Sequence, residues 1–295
     1  MELSFPMSAP EHDSSRPEAS HRCITIDGVR LRYVDEGRGA PVICIHGAFA
    51  DHRNWGPQCP AIARSHRYIA YSQRYFGPEP WPDAGEHYSQ ETHVRDLVEL
   101  IRMLDVAPAY VIARSYGATV ALVAALRHPE LVRALLVQEP QVRSLVTDPG
   151  EQEVLREEAR GLAAVRAAAE IGDEDGATRL FFDWVNGQPG AFDILPPDAQ
   201  RFHLANGRTI ALHFAAPRAL ALSCTDLAAF SIPLTVTRGE LTRPYMRICA
   251  EAVHRCVPGS QLVVIPNARH APSAQNPAAF NDVILRFLAS DPTAS

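Results

Sequence analysis

Short apolar runs alternate along this chain with longer helical stretches, and that rhythm limits the fold more than any other feature. Residues 42–45, 68–71, 110–113, 135–138, 234–237 and 262–265 read as buried strands. Residues 93–104, 116–127, 245–256 and 277–288 read as helices. In the first helix Val94, Leu97, Val98, Ile101 and Leu104 recur at helical spacing and share one face. Strands alternating with helices imply a mostly parallel sheet covered on both faces. Residues 22–27 and 29–35 flank an Asp27-Gly28 turn, so a leading hairpin should add an antiparallel edge. The rhythm breaks at residues 149–229, where few strand signals occur. One long helix is expected over residues 154–171, a second over 178–185, and more from Pro197.

The sharpest corner is "VIARSYGATVAL", residues 111–122, where a strand meets Ser115-Tyr116-Gly117 and runs straight into a helix. A serine there either caps the helix or holds its hydroxyl out to react. "HGAFADHRNW" follows an earlier strand, and "IPNARHAP" precedes the last helix. In this order, on the alternating pattern, the three motifs resemble the α/β-hydrolase family with a helical cap. The resemblance runs from about Arg22 to Ala289. The implied fold class is α/β, a mostly parallel α/β-hydrolase sheet flanked by helices, with an inserted helical cap. The implied division is a flexible tail over residues 1–21, a core over 22–148 and 230–295, and a cap over 149–229. The family elbow is G-x-S-x-G; here its first glycine is Ala113, small enough to leave the turn possible.

The resemblance makes Ser115 the nucleophile and His270, in the turn after a strand, the base. The acid departs from the commonest pattern. The turn after the penultimate strand reads Gly239-Glu240-Leu241-Thr242, with threonine where aspartate is usual. "LLVQEP" offers Glu139 instead, after the strand that follows the nucleophile helix. Haloalkane dehalogenases and zearalenone-type lactone hydrolases carry an acid at that place, the latter in the order Ser, Glu, His. Glu139 is therefore favoured over Glu240. The oxyanion hole is expected from the backbone N–H of Tyr116 and of Ala48 or Phe49. In the pocket, Arg114 is expected to meet an acidic substrate group or a neighbouring carboxylate. Phe181 and Trp184 are candidates for an apolar lining, although aromatic residues at helical spacing more often pack. Arg74 is expected to brace loops, and His46 to be structural.

Composition prunes the chemistry. Every one of the 28 basic residues is arginine, which removes a lysine Schiff base and a phosphate-loop lysine. The basic residues are scattered and net charge is -6, so no nucleic-acid partner is expected. No apolar run is long enough for a bilayer, and no secretion signal opens the chain. The six cysteines show no CxxC pair and are expected to be free thiols in a reducing, cytoplasmic setting. No His/Cys cluster has metal spacing, so neither metal nor cofactor is expected. The sequence thus points to a cofactor-free serine hydrolase that cleaves a small apolar ester or lactone through an acyl-enzyme. A lyase or cofactor-free oxygenase on the same scaffold, and a receptor using the same pocket, are the rival readings. Assembly is left open, a homodimer included.

Overall fold

The computed structural model describes residues 21–216 and 220–290. The tail expected over residues 1–21 lies outside them up to residue 20, and His21 already opens the first strand. The strands are β1 His21–Ile26, β2 Val29–Glu36, β3 Pro41–Ile45, β4 Arg67–Tyr71, β5 Ala109–Arg114, β6 Val132–Gln138, β7 Leu234–Gly239 and β8 Gln261–Ile265. They form one sheet in the order β1-β2-β4-β3-β5-β6-β7-β8. The β1–β2 hairpin turns through Asp27 (φ 49°) and Gly28 (φ 76°), both left-handed as such a turn requires. β2 pairs antiparallel with β1 and β4, and every later pairing is parallel.

The helices are α1 Cys59–Ile62, α2 Gln90–Met103, α3 Ser115–Arg127, α4 Pro149–Arg160, α5 Ala163–Glu170, α6 Glu174–Asn186, α7 Pro197–Gly207, α8 Ile210–Ala215, α9 Cys224–Ala228, α10 Pro244–Cys256, α11 Pro272–Gln275 and α12 Pro277–Ala289. Strand residues alternate between two buried cores. Ile43, Ile45, Val111 and Ala113 join the core under α2, α3 and α10. Val42, Cys44, Tyr110 and Ile112 join the core under α1 and α12. A period of two with both faces buried explains why these strands read as unbroken apolar runs.

The chain crosses between β3 and β5, which lie side by side although β4 intervenes in sequence. Their carboxyl ends make the switch point where ligands bind in such sheets. Helices α4 to α9 fill the chain between β6 and β7. The single helix expected over residues 154–171 is instead two, α4 and α5, broken at Gly161. A Cβ there would come within 2.7 Å of the Trp184 ring, so the break makes room for that indole. Asn206 on α7 ties the inserted helices to the core. Its Nδ2 donates to Asp51 Oδ2 at 2.9 Å, and its Oδ1 accepts from Gly77 N at 2.9 Å.

The cysteine expectation needs correction. Cys224 and Cys256 are joined in a disulfide that links α9 to the end of α10. They stand 32 residues apart with no motif between them, and only the packing of α9 on α10 brings them together. Cys23, Cys44, Cys59 and Cys249 are thiols outside that bridge. Among the described residues no helix is long and apolar enough to cross a membrane.

Candidate active site

Ser115 sits where β5 ends and α3 begins, at φ 52°. A non-glycine residue at positive φ stores strain of the kind that functional corners keep. Its neighbours are shaped around it. A Cβ on Gly47 would lie 3.2 Å from Ser115 Cβ and 3.4 Å from the Arg114 carbonyl. A Cβ on Gly117 would run into the His46 carbonyl and the Ile45 side chain. Both glycines are therefore set by close approach, and Ala113 takes the elbow's first position without exposure. Of the seven non-glycine residues at positive φ among the described residues, three are Phe49, Ser115 and Glu139. Backbone strain thus gathers at the ends of β3, β5 and β6.

Glu139 is fully buried directly after β6. His270 is 4% exposed in the turn after β8. Its Nδ1–H donates to Glu139 Oε2. The other carboxylate oxygen accepts from Gly239 N at 2.8 Å. Thr242 Oγ1 donates to Glu139 Oε2 at 3.0 Å. The threonine that stands in the usual acid's place thus supports the displaced acid. Glu240 lies elsewhere, accepting from Asn267 N at 2.9 Å. Burial lowers His270 below its ordinary pKa; Glu139 opposes the shift and the Arg114 charge adds to it. With Nδ1 engaged as a donor, Nε2 is the nitrogen left to accept a proton.

His46 is inside the protein scaffold of the site. Its Nε2 accepts from Gln73 N at 2.9 Å, and its Nδ1 donates to the Gly47 carbonyl at 2.7 Å. Burial pushes it down to about 4, so it stays neutral. Arg74 binds Asp96 through two hydrogen bonds of 2.9 and 2.7 Å in the interior, bracing the loop after β4 against α2.

The inserted helices bring side chains that no motif marked. His213 on α8 packs edge-on against Phe49 and Tyr116, with ring centroids 5.4 and 5.5 Å away. Tyr88 OH and His213 Nδ1 are hydrogen-bonded at 3.3 Å. His203 on α7 is pushed down to about 4 by burial, with the Arg114 charge adding to the shift and the Phe49 backbone opposing it. Tyr116 OH donates to His93 Nδ1 at 2.7 Å, because His93 Nε2 must donate to the Arg74 carbonyl at 3.1 Å. Two imidazoles among twelve, in helices with no motif, carry no sequence signal.

The aromatic candidates separate. Phe181 meets Phe49 at 4.5 Å, beside the turn after β3. Trp184 packs on Phe181 and Tyr245, lies under the Arg243 guanidinium, and donates to the Glu158 carbonyl at 3.0 Å. Its ring is occupied by packing among α4, α6 and α10. Arg114 Nη1 donates to Asn54 Oδ1 at 2.9 Å and its Nε to the His270 carbonyl at 3.3 Å. Burial lowers this guanidinium to about 10, with Glu139 acting against the shift.

Residues 40–180 match the family model described as the alpha/beta hydrolase fold. A Bacillus subtilis (strain 168) protein, provisionally named 2-succinyl-6-hydroxy-2,4-cyclohexadiene-1-carboxylate synthase, is 27% identical over 277 residues. That match covers 90% of this chain and 96% of the relative. The 2-hydroxy-6-oxo-6-(2'-aminophenyl)hexa-2,4-dienoic acid hydrolase of Metapseudomonas resinovorans is 31% identical over 137 residues, 44% of this chain and 47% of that protein. Among solved structures, an esterase from Exiguobacterium antarcticum superposes with a TM-score of 0.74 at 20% identity. That superposition covers 90% of this chain and 98% of the esterase.

Proposed function

We propose that this chain is a serine hydrolase of the α/β-hydrolase superfamily, with Ser115, His270 and Glu139 as its triad, acting on a carboxylic ester or lactone. One observation carries this reading: His270 is hydrogen-bonded to Glu139, and its carbonyl accepts from the side chain of Arg114, the residue just before the strained Ser115 corner. His270 Nε2 takes the Ser115 proton as Oγ attacks the carbonyl carbon. The carbonyl π pair moves onto oxygen, where the N–H groups of Tyr116 and of Ala48 or Phe49 receive it. Collapse expels the alkoxide, which takes the proton back from His270. Water, deprotonated by His270, then attacks the acyl carbon and frees Ser115. Glu139 orients the ring and stabilises its charged form without taking the proton. Helices α4 to α9 act as the cap, with Phe181 at its inner surface.

An alkoxide leaves more readily than an amine, which favours esters and lactones over amides. The test is release from nitrophenyl esters and a lactone panel by wild type and Ser115→Ala. Turnover should fall by about 10⁴ or more in the variant. A variant that retains activity removes the serine mechanism. The likeness to a protein named as a synthase gives the non-hydrolytic reading its support. That reading gains if the wild type turns over no ester and a fluorophosphonate leaves Ser115 unlabelled.

A further inference from the structure

Three adjacent strands end in a row of polar side chains. Arg114 pairs in register with Gln138, and Gln138 with Thr237. The row lies on the face covered by α1 and α12, because Ile112 and Leu136, two residues earlier on their strands, belong to that core. Asn54 meets the row at Arg114, and elsewhere Gln58 Nε2 donates to the carbonyl of Ser273 on α11 at 3.0 Å. Gln58, Gln138 and Thr237 are fully buried and Ser273 is 1% exposed.

These groups are left with bonding capacity. Asn54 Nδ2, Gln58 Oε1, both amide atoms of Gln138, Thr237 Oγ1 and Ser273 Oγ have no protein partner. Arg114 carries five N–H donors and gives one each to Asn54 and the His270 carbonyl, both neutral acceptors. Its charge is felt by His46 and His270 in the core and by His203 on α7. The carboxylates within reach are committed elsewhere. Glu139 is taken by His270, Gly239 and Thr242. Asp51 is taken by the Arg53 side chain, the Arg53 amide and Asn206. A half-buried cation whose side-chain hydrogen bonds go only to neutral acceptors favours an anion, and a guanidinium fork fits a carboxylate.

We propose that Arg114, with Asn54 beside it, receives a carboxylate carried by the substrate, so that the enzyme acts on acyl compounds bearing a second, anionic end. This rests on the hydrolase reading for the reaction but not for the binding. It takes the first of the two roles the sequence left open for Arg114, an acidic substrate group, and adds an anionic end to the apolar ester or lactone expected there. Gln138 and Thr237 form the polar floor of this subsite, and the orphaned amide donor of Asn54 adds a hydrogen bond to the anion.

The test separates the two readings. Benzoylpropionate and benzoylbutyrate are titrated into the full-length wild-type protein by calorimetry, each beside its primary amide. These ketones mimic the acyl carbonyl and need no turnover. At least one acid should bind about tenfold or more tighter than its amide. That preference should collapse towards unity in Arg114→Gln and shrink in Asn54→Ala. Equal affinity of acid and amide in the wild type, or no binding of either acid, overturns the subsite, and this comparison needs no variant to fold. Labelling of Ser115 by a fluorophosphonate is scored separately. Labelling with no acid preference leaves the hydrolase and removes the carboxylate; acid preference without labelling does the reverse.

Discussion

In the proposed triad the acid stands one strand away from its usual place. Thr242 occupies the turn where an aspartate is usual, and Glu139 reaches the imidazole from the neighbouring strand end. The hydroxyl donates to the carboxylate, so the position still serves the histidine, one bond further away. Glu139→Gln should lower kcat by about 10⁴ through loss of the group that orients and stabilises the imidazolium. Glu240→Gln should stay within about twofold, since Glu240 holds only the Asn267 amide. The reverse ranking would reassign the acid. Thr242→Val removes one donor to a charged acceptor and should cost about tenfold. The pH–rate profile gives a further check. His270 must be neutral to accept a proton, and its pKa lies below 6.5. The acid limb of kcat/KM should therefore fall below pH 6.5. In Glu139→Gln it should move lower still, because the group favouring the charged ring is gone. A limb that moves up would contradict the assigned role.

At the scale of elements, the core strands and helices were legible because each pairs a clear period with a clear stop. Ser89 caps α2 through the Thr92 amide, and His128-Pro129 closes α3. The inserted helices were legible as helices but not as an arrangement. The Gly161 break depends on where the Trp184 ring comes to rest, which is a tertiary fact. The same limit hid His203, His213 and the Thr242 hydroxyl, whose partners are 100 or so residues away. Ser115, His270 and the Glu139 alternative could be read because motifs tie them to particular strand ends. The disulfide could not, since Cys224 and Cys256 meet only across α9 and α10. Closing a loop of 32 residues is worth about 4 kcal/mol in the chain-entropy account. Cys224→Ser should therefore lower the melting temperature by about 5 °C or more. Alkylation after denaturation without reductant should modify four thiols, Cys23, Cys44, Cys59 and Cys249. Six thiols and an unchanged melting temperature would remove the bridge.

Across the whole molecule, buried imidazoles set how the fold responds to acid. His46, His52, His203 and His213 are each pushed down to about 4, and His93 to about 3, with burial the largest cause in every case. They are spread over the site, the turn after β3, α2 and the inserted helices, so they report on the core and the insertion together. Each is neutral in the folded chain and titrates near 6.5 when unfolded. Between those values the unfolded chain binds protons that the folded chain refuses. Stability then rises with pH in this window and is lost as pH falls through it. The opposite sign would need imidazoles held by carboxylates strongly enough to raise their pKa. Of these five, His46, His52 and His203 feel Asp51, and in each burial outweighs it. The melting temperature should therefore be nearly flat above pH 7 and fall steadily from about pH 6.5 towards pH 4. Proton uptake on unfolding at pH 5, from calorimetry in buffers of different ionisation enthalpy, should approach five per chain. Uptake near zero at pH 5 would mean that these rings are solvated or already charged in the folded protein. His213→Phe keeps the aromatic edge against Phe49 and Tyr116 while deleting one titrating ring. It should reduce the uptake by about one and soften the acid slope, whereas an unchanged slope would exclude His213 from the set.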